Sequence, residues 1–310
     1  MADEVTPQTE FPGFPDFRAN VTFVPLQFFT AIIPYCSRGT VRLLGYTLRK
    51  VLGWVDAHGH PTREQLQFTY RELIEEAGVA RDAIGEALAE AIDRHCLRCL
   101  QSPRPDTREQ RGRSGIYELC WDETGAYTDD PVRFRGFYYP EAAMVEEREG
   151  TVTVRRPKAA RKNIPNAFFD HLLPREPLSV IRVVGALLFY SIQWGPGGER
   201  RVPVSRSITD LSRLTKFSRQ HVHEAMTEAR KHGYVVQVDA GCFDPAAAKE
   251  SRPATYAIRW APAPPTGLRW SGAIGTDAQP LREDSVLKVD RSEKVNGDRS
   301  EKVNDIWEPL

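Results

Sequence analysis

The sequence predicts an α+β, mainly α chain: two tandem copies of one small domain, then a disordered C-terminal tail. Three observations carry this. Residues 163–260 hold three apolar-periodic segments (180–194, 207–215 and 218–232) followed by two strand-like runs (234–239 and 254–260). Residues 24–121 repeat that outline. Beyond Trp260 the chain turns Pro-rich and the periodicity stops.

The repeat can be aligned. Val24-Pro25-x-x-Phe28-Phe29-x-x-Ile32-Ile33-Pro34 matches Ile164-Pro165-x-x-Phe168-Phe169-x-x-Leu172-Leu173-Pro174 at an offset of 140. The same offset carries Gly45, Leu48 and Trp54 onto Gly185, Leu188 and Trp194. Leu73, Ile84, Leu88 and Ala91 fall on Leu211, Val222, Met226 and Ala229 at 138, and Tyr117 and Trp121 fall on Tyr256 and Trp260 at 139. Offsets that drift only in loops mark a duplication. The expected layout is a loose arm over 1–20, a first domain over 21–125, a linker with a basic end over 126–162, a second domain over 163–261 and a tail over 262–310. Phe11, Phe14 and Phe17 give the arm a means of docking on a neighbour.

Local signals support each element. Thr69 and Glu72 form a capping box, in which the hydroxyl caps the helix and the carboxylate reaches back. Leu73, Ile74 and Ala77 are expected to face inward, and Gly78 to allow the sharp turn that follows. The next helix, about 81–95, is expected to bury Ile84, Leu88, Ala91 and Ile92. In the second copy Ser207 and Asp210 repeat the box, and Ser218 caps a helix whose apolar stripe is Val222, Ala225, Met226 and Ala229. Residues 102–114 and 240–253 read as hairpin tips, or wings, the first carrying Arg104, Arg108, Arg111 and Arg113. Three helices and a two-stranded ribbon outline a winged helix-turn-helix, so two such domains in tandem are expected.

Lys+Arg and Asp+Glu both number 42, so a basic surface has to be local. It is local. Residues 62–95 hold four bases and eight acids; residues 199–233 hold eight bases and four acids. Phosphates repel the first region and attract the second. The first helix is expected to show Asp82, Glu86, Glu90 and Asp93 to solvent, which suits a major groove badly. The second shows Ser218, Arg219, Gln220, His223, Thr227 and Arg230, with Arg suited to guanine and Gln to adenine. Arg200, Arg201, Arg206 and Lys216 nearby, and Lys249 and Arg252 on the wing, complete the expected DNA surface. Arg155, Arg156, Arg161 and Lys162 end the linker, where they could track a phosphate backbone, enter a minor groove or form a soluble hinge.

Other chemistry is weakly marked. His95, Cys96, Cys99 and Cys120 make a poor zinc pattern, and no metal or other cofactor is expected. Gly195-Pro-Gly-Gly198 lacks the Lys-Ser/Thr of a phosphate loop and reads as the turn after a helix. There is no nucleophile elbow, metalloprotease helix or acid pair, so an enzyme is not expected. The 5 cysteines are odd in number and irregularly spaced, which fits a reducing cytoplasm. Met1-Ala2-Asp3-Glu4 does not look like a signal peptide, and no apolar run reaches the ~20 residues of a membrane span. The tail repeats Asp-Arg-Ser-Glu-Lys-Val-Asn at 290 and 298. It ends on Ile306, Trp307 and Leu310, either a partner-binding motif or an unselected end.

Ile164-Pro165-Asn166-Ala167-Phe168-Phe169-Asp170, Leu187-Leu188-Phe189-Tyr190 with Trp194-Gly195, Val204-Ser205 with Ile208 and Leu211, and Ser218-Arg219-Gln220-His221-Val222 form a pattern over residues 163–239. It resembles the N-terminal winged-helix domain of phage and plasmid replication initiators and primosomal helicase-loading proteins. The layout also resembles replication proteins of integrated mobile genetic elements. The chain departs from those families in having two copies and no evident helicase-binding domain. The resemblance implies a DNA-binding replication initiation protein that recognises an origin in double-stranded DNA and recruits a host helicase, helicase loader or other replication protein. A homodimer fits the same outline. A transcriptional regulator and a protein–protein adaptor remain alternative readings.

Overall fold

The computed structural model describes residues 11–15, 20–54, 62–103, 113–122, 128, 130–138, 144–148, 151–155, 161–195, 198–242 and 252–261. It is a mixture of helices and small antiparallel sheets. The first copy runs β1 (Val21–Pro25), α1 (Arg38–Leu52), β2 (Gln65–Phe68), α2 (Tyr70–Glu75), α3 (Ile84–Asp93), β3 (Leu97–Gln101) and β4 (Gly115–Leu119). A hairpin of β5 (Met144–Arg148) and β6 (Thr151–Arg155) follows. The second copy runs β7 (Arg161–Pro165), α4 (Leu173–Arg175), α5 (Leu178–Ser191), β8 (Ile192–Gly195), β9 (Gly198–Arg201), β10 (Val204–Ser205), α6 (Ile208–Thr215), α7 (Arg219–Lys231), β11 (Val235–Asp239) and β12 (Thr255–Ile258). Each copy closes on a three-stranded sheet of matching order, β2-β4-β3 and β10-β12-β11. Among the described residues no helix is long and apolar enough to cross a membrane.

The copies are not beads on a string. β1 and β7 pair with each other, Thr22 opposite Ile164 and Val24 opposite Lys162. Shifting each partner by 140 exchanges those two pairs, so the ribbon maps onto itself about Phe23 and Asn163. The repeat is therefore arranged around an internal twofold. Matching π-helical turns follow, Phe28–Ile32 and Phe168–Leu172. Their rings meet across the axis, Phe28 with Phe169 at 6.1 Å and Phe29 with Phe168 at 5.6 Å. The apolar core runs without a break through both copies.

Two buried arginines at equivalent positions cross this interface. Arg182 on α5 donates to the carbonyls of Ile33 (2.8 Å), Cys36 (3.0 Å) and Thr215 (3.2 Å). Arg42 on α1 donates to the carbonyls of Glu176 (2.9 Å) and Gly78, and its Nε has no partner. Cys36 and Glu176 are equivalent positions, so the bonds are exchanged. Gly78 is constrained twice: its φ is +68°, and a Cβ there would lie 2.3 Å from the Pro174 carbonyl oxygen of the other copy. Its counterpart Lys216 takes the same left-handed turn, at φ 59°, without being glycine.

A second exchange was not read from the sequence. Phe11-Pro12-Gly13-Phe14 precedes the first copy and Phe134-Arg135-Gly136-Phe137 precedes the second. Phe14 pairs with Trp260 and Phe137 with Trp121, so each segment docks on the strand end of the other copy. The rings repeat the geometry: Phe14–Trp260 at 6.1 Å and Phe137–Trp121 at 6.3 Å. Gly13 and Gly136 have φ of +110° and +141°, and a Cβ on either would strike the paired backbone at 2.6 and 2.8 Å.

Some local expectations need correction. The described part of the arm is docked, not loose, with Phe11 and Phe14 buried. The stretch expected as a linker contributes the buried Phe134 and Phe137, the β5–β6 hairpin and the start of β7. Ile74 and Ile92 do not face inward; they are 38% and 37% exposed, because α2 ends after one and a half turns and α3 buries only Ile84, Ala87, Leu88 and Ala91. Gly195 and Gly198 pair within the β8–β9 hairpin, so the glycines do not simply end a helix. Both capping boxes are present, at Thr69–Glu72 and Ser207–Asp210.

Removing either crossed arginine strands buried carbonyl oxygens, each at roughly 1–3 kcal/mol. Arg182→Ala strands three and Arg42→Ala two. Both variants should unfold at lower urea concentration than the parent chain, with Arg182→Ala the lower. The reverse order would contradict this account of the interface.

Candidate nucleic-acid interface

α7 is built to present one face. Lys216 breaks the chain out of α6, and Ser218 restarts it by accepting a hydrogen bond from the His221 amide at 3.3 Å. Val222, Ala225, Met226 and Ala229 then lie at helical spacing in the core. Geometry leaves Arg219, Gln220, His223, Thr227 and Arg230 exposed on the other side. Arg219 makes no hydrogen bond or ion pair among the described residues, so its guanidinium is free to meet a ligand. The Gln220 amide donates to Glu224 at 2.7 Å, so its NH2 group is engaged within the helix. Thr227 donates back to the His223 carbonyl at 3.0 Å, which leaves its lone pairs outward.

Between α7 and the β11–β12 ribbon lies a cleft of about 710 Å³. Arg206, His223, Arg230 and Arg252 line it, with one carboxylate, Asp210, that also faces Arg213 at 3.7 Å. Each arginine is held by a second group. Arg230 donates to the Gln237 side chain at 2.5 Å, Arg252 pairs with Asp239 at 3.5 Å, and Arg206 lies over the Tyr190 ring at 4.7 Å. Exposed pairs such as Arg252–Asp239 add little stability. Gln237 and Asp239 have no role at this surface in the sequence reading. Their alternation with Val236 and Val238 along a strand was the available signal. Tyr190, at the end of an apolar helix, gave none.

The other expected contacts divide. Arg200 is exposed on β9. Arg201 lies over the Trp260 ring at 4.2 Å, and Lys216 is 5.2 Å from the Tyr35 ring of the first copy. Lys162 is the correction. Its ammonium points inward, donating to the carbonyls of Phe189 and of Ile192 (2.8 Å) where α5 ends, over the Phe189 ring at 4.0 Å. The last carbonyls of a helix need such a donor, and a phosphate would have to compete with them. Arg155 and Arg161 lie in β6 and β7. Arg156, Lys249, Ile306, Trp307 and Leu310 lie outside the described residues, as do Arg104, Arg108 and Arg111.

The equivalent helix of the first copy offers a different surface. Asp82, Gly85, Glu86, Ala89 and Asp93 are exposed there. Glu90 does not belong to that face: it accepts from Thr40 Oγ1 at 2.7 Å and from the Ser37 amide at 3.1 Å, which holds α3 to the start of α1. Burial pushes its carboxyl up, but those hydrogen bonds and Arg94 together hold it below the ordinary glutamate value.

Burial lowers the Lys162 amine to about 8, against the opposing pull of Glu199. The ordinary value, 10.5, lies above this. Between the two the unfolded chain binds the extra proton, so this group's contribution favours the fold more as pH rises through that window. The urea midpoint of the parent chain relative to Lys162→Met should therefore climb from pH 8 to 10. A flat difference would show that the amine is not desolvated. Comparison with protein-family models, curated proteins and solved structures finds no match for the chain.

Proposed function

We propose that the chain is a tandem winged helix-turn-helix protein whose second copy binds double-stranded DNA. The observation that carries this is the exposed face of α7, with a free Arg219 at its N-terminus and a cleft lined by Arg206, Arg230 and Arg252 beside it. The proposal assigns α7 to the major groove, where a recognition helix meets base edges with its first residues. The cleft and Arg200 take phosphates. The helix order and the β10-β12-β11 sheet support the winged-helix reading. Origin recognition on a mobile element, with recruitment of a host helicase or its loader, rests on the resemblance of residues 163–239 alone. The acidic α3 face supports a protein-contacting role for the first copy.

The test is fluorescence anisotropy on labelled duplexes across a salt series. Arg219→Ala and Gln220→Ala should each relax base preference at one position, by roughly 1–3 kcal/mol. Arg200→Ala should weaken all duplexes alike and reduce the salt slope by about one. If the three variants bind as the parent does at moderate salt, the proposed docking face is wrong.

A further inference from the structure

The β1–β7 register, the crossed Arg42 and Arg182, and the exchanged Phe-x-Gly-Phe segments all close within one chain. Each is the kind of reciprocal contact that an isologous dimer makes between subunits, residue i touching j and j touching i. Here the strand edge and the buried donors that would join two subunits are already used.

Resting on the DNA-binding reading above, we infer that one chain is the complete DNA-binding unit, and that its target is an asymmetric duplex site read through α7 alone. A symmetric dimer brings two equal helices to two half-sites, so a palindrome mirrors the protein's symmetry. This scaffold keeps the twofold and breaks the equality. Where α7 has Gln220, His223, Thr227, Arg230 and Lys231, the equivalent positions around α3 have Asp82, Gly85, Ala89, Ile92 and Asp93. Groups that could read a base edge or hold a phosphate are replaced by acids and small or apolar side chains. Asp82, Glu86 and Asp93 have no cationic partner among the described residues, so a phosphate brought there meets uncompensated negative charge. Arg81 does align with Arg219, but it stands beside Asp82 and lacks the neighbours that make the α7 surface cationic. The half-site that the twofold would generate is left unread.

The experiment is selection from random 30-base-pair duplexes with the full chain, followed by native mass spectrometry of the chain on the selected duplex. It is repeated with Arg219→Ala and Arg81→Ala, both exposed positions. The expected result is one chain per duplex and a motif without dyad symmetry. Arg219→Ala should weaken binding to it about tenfold and Arg81→Ala less than about twofold. Two chains on a palindrome, or equal losses from the two variants, would overturn the inference and leave the DNA-binding reading intact. Failure to retain any duplex even at low salt would overturn both together.

Discussion

The structure depends on the exchange of buried arginines across its internal twofold. A guanidinium removed from water is costly unless its donors are met. Arg182 meets that demand only by reaching Ile33 and Cys36 of the other copy, besides Thr215 of its own. Arg42 does the same towards Glu176, less completely, since its Nε stays unpaired. Neither copy can satisfy its own arginine alone. The other shared features follow from that closeness: the facing π-helical turns, the Phe28–Phe169 and Phe29–Phe168 contacts, and Gly78 pressed on Pro174.

A scaffold this constrained on the inside is free on the outside. Arg42 and Arg182, and the Phe28-Phe29 and Phe168-Phe169 rings, are the same residues in both copies, while α3 shows an acidic face and α7 a basic one. The proposed division of labour follows. The second copy supplies a free guanidinium and an arginine-lined cleft. The first supplies the wall against which the second is built, and its Tyr35 ring lies near Lys216 at the turn before α7. The exchanged segments extend the same dependence, since Phe14 supports Trp260, and Trp260 lies under Arg201.

Much of this was legible in the residues. Both capping boxes, the apolar stripe of α7 and the duplication offsets are local or periodic signals, and the structure has those elements in those places. What was not legible was how the copies meet. Periodicity says that Phe28 and Val24 are inward, but not that inward means against the other copy. The Phe-x-Gly-Phe pair escaped because it lies 123 residues apart, while the rest of the repeat lies 138–140 apart. The shortfall comes from the β5–β6 stretch inserted after it. Ile74 and Ile92 were misplaced because helical spacing assigns a stripe without saying where packing stops. Lys162 looked like a basic linker residue, since nothing in its sequence context shows that α5 ends beside it and leaves two carbonyls to be met.

The most direct test of the account is hydrogen–deuterium exchange of the full chain with and without duplex DNA at moderate salt. The account predicts added protection over residues 206–230 and on the β11–β12 ribbon, with residues 81–93 unchanged. Protection centred on residues 81–93, or none anywhere under conditions where the duplex is bound, would contradict it.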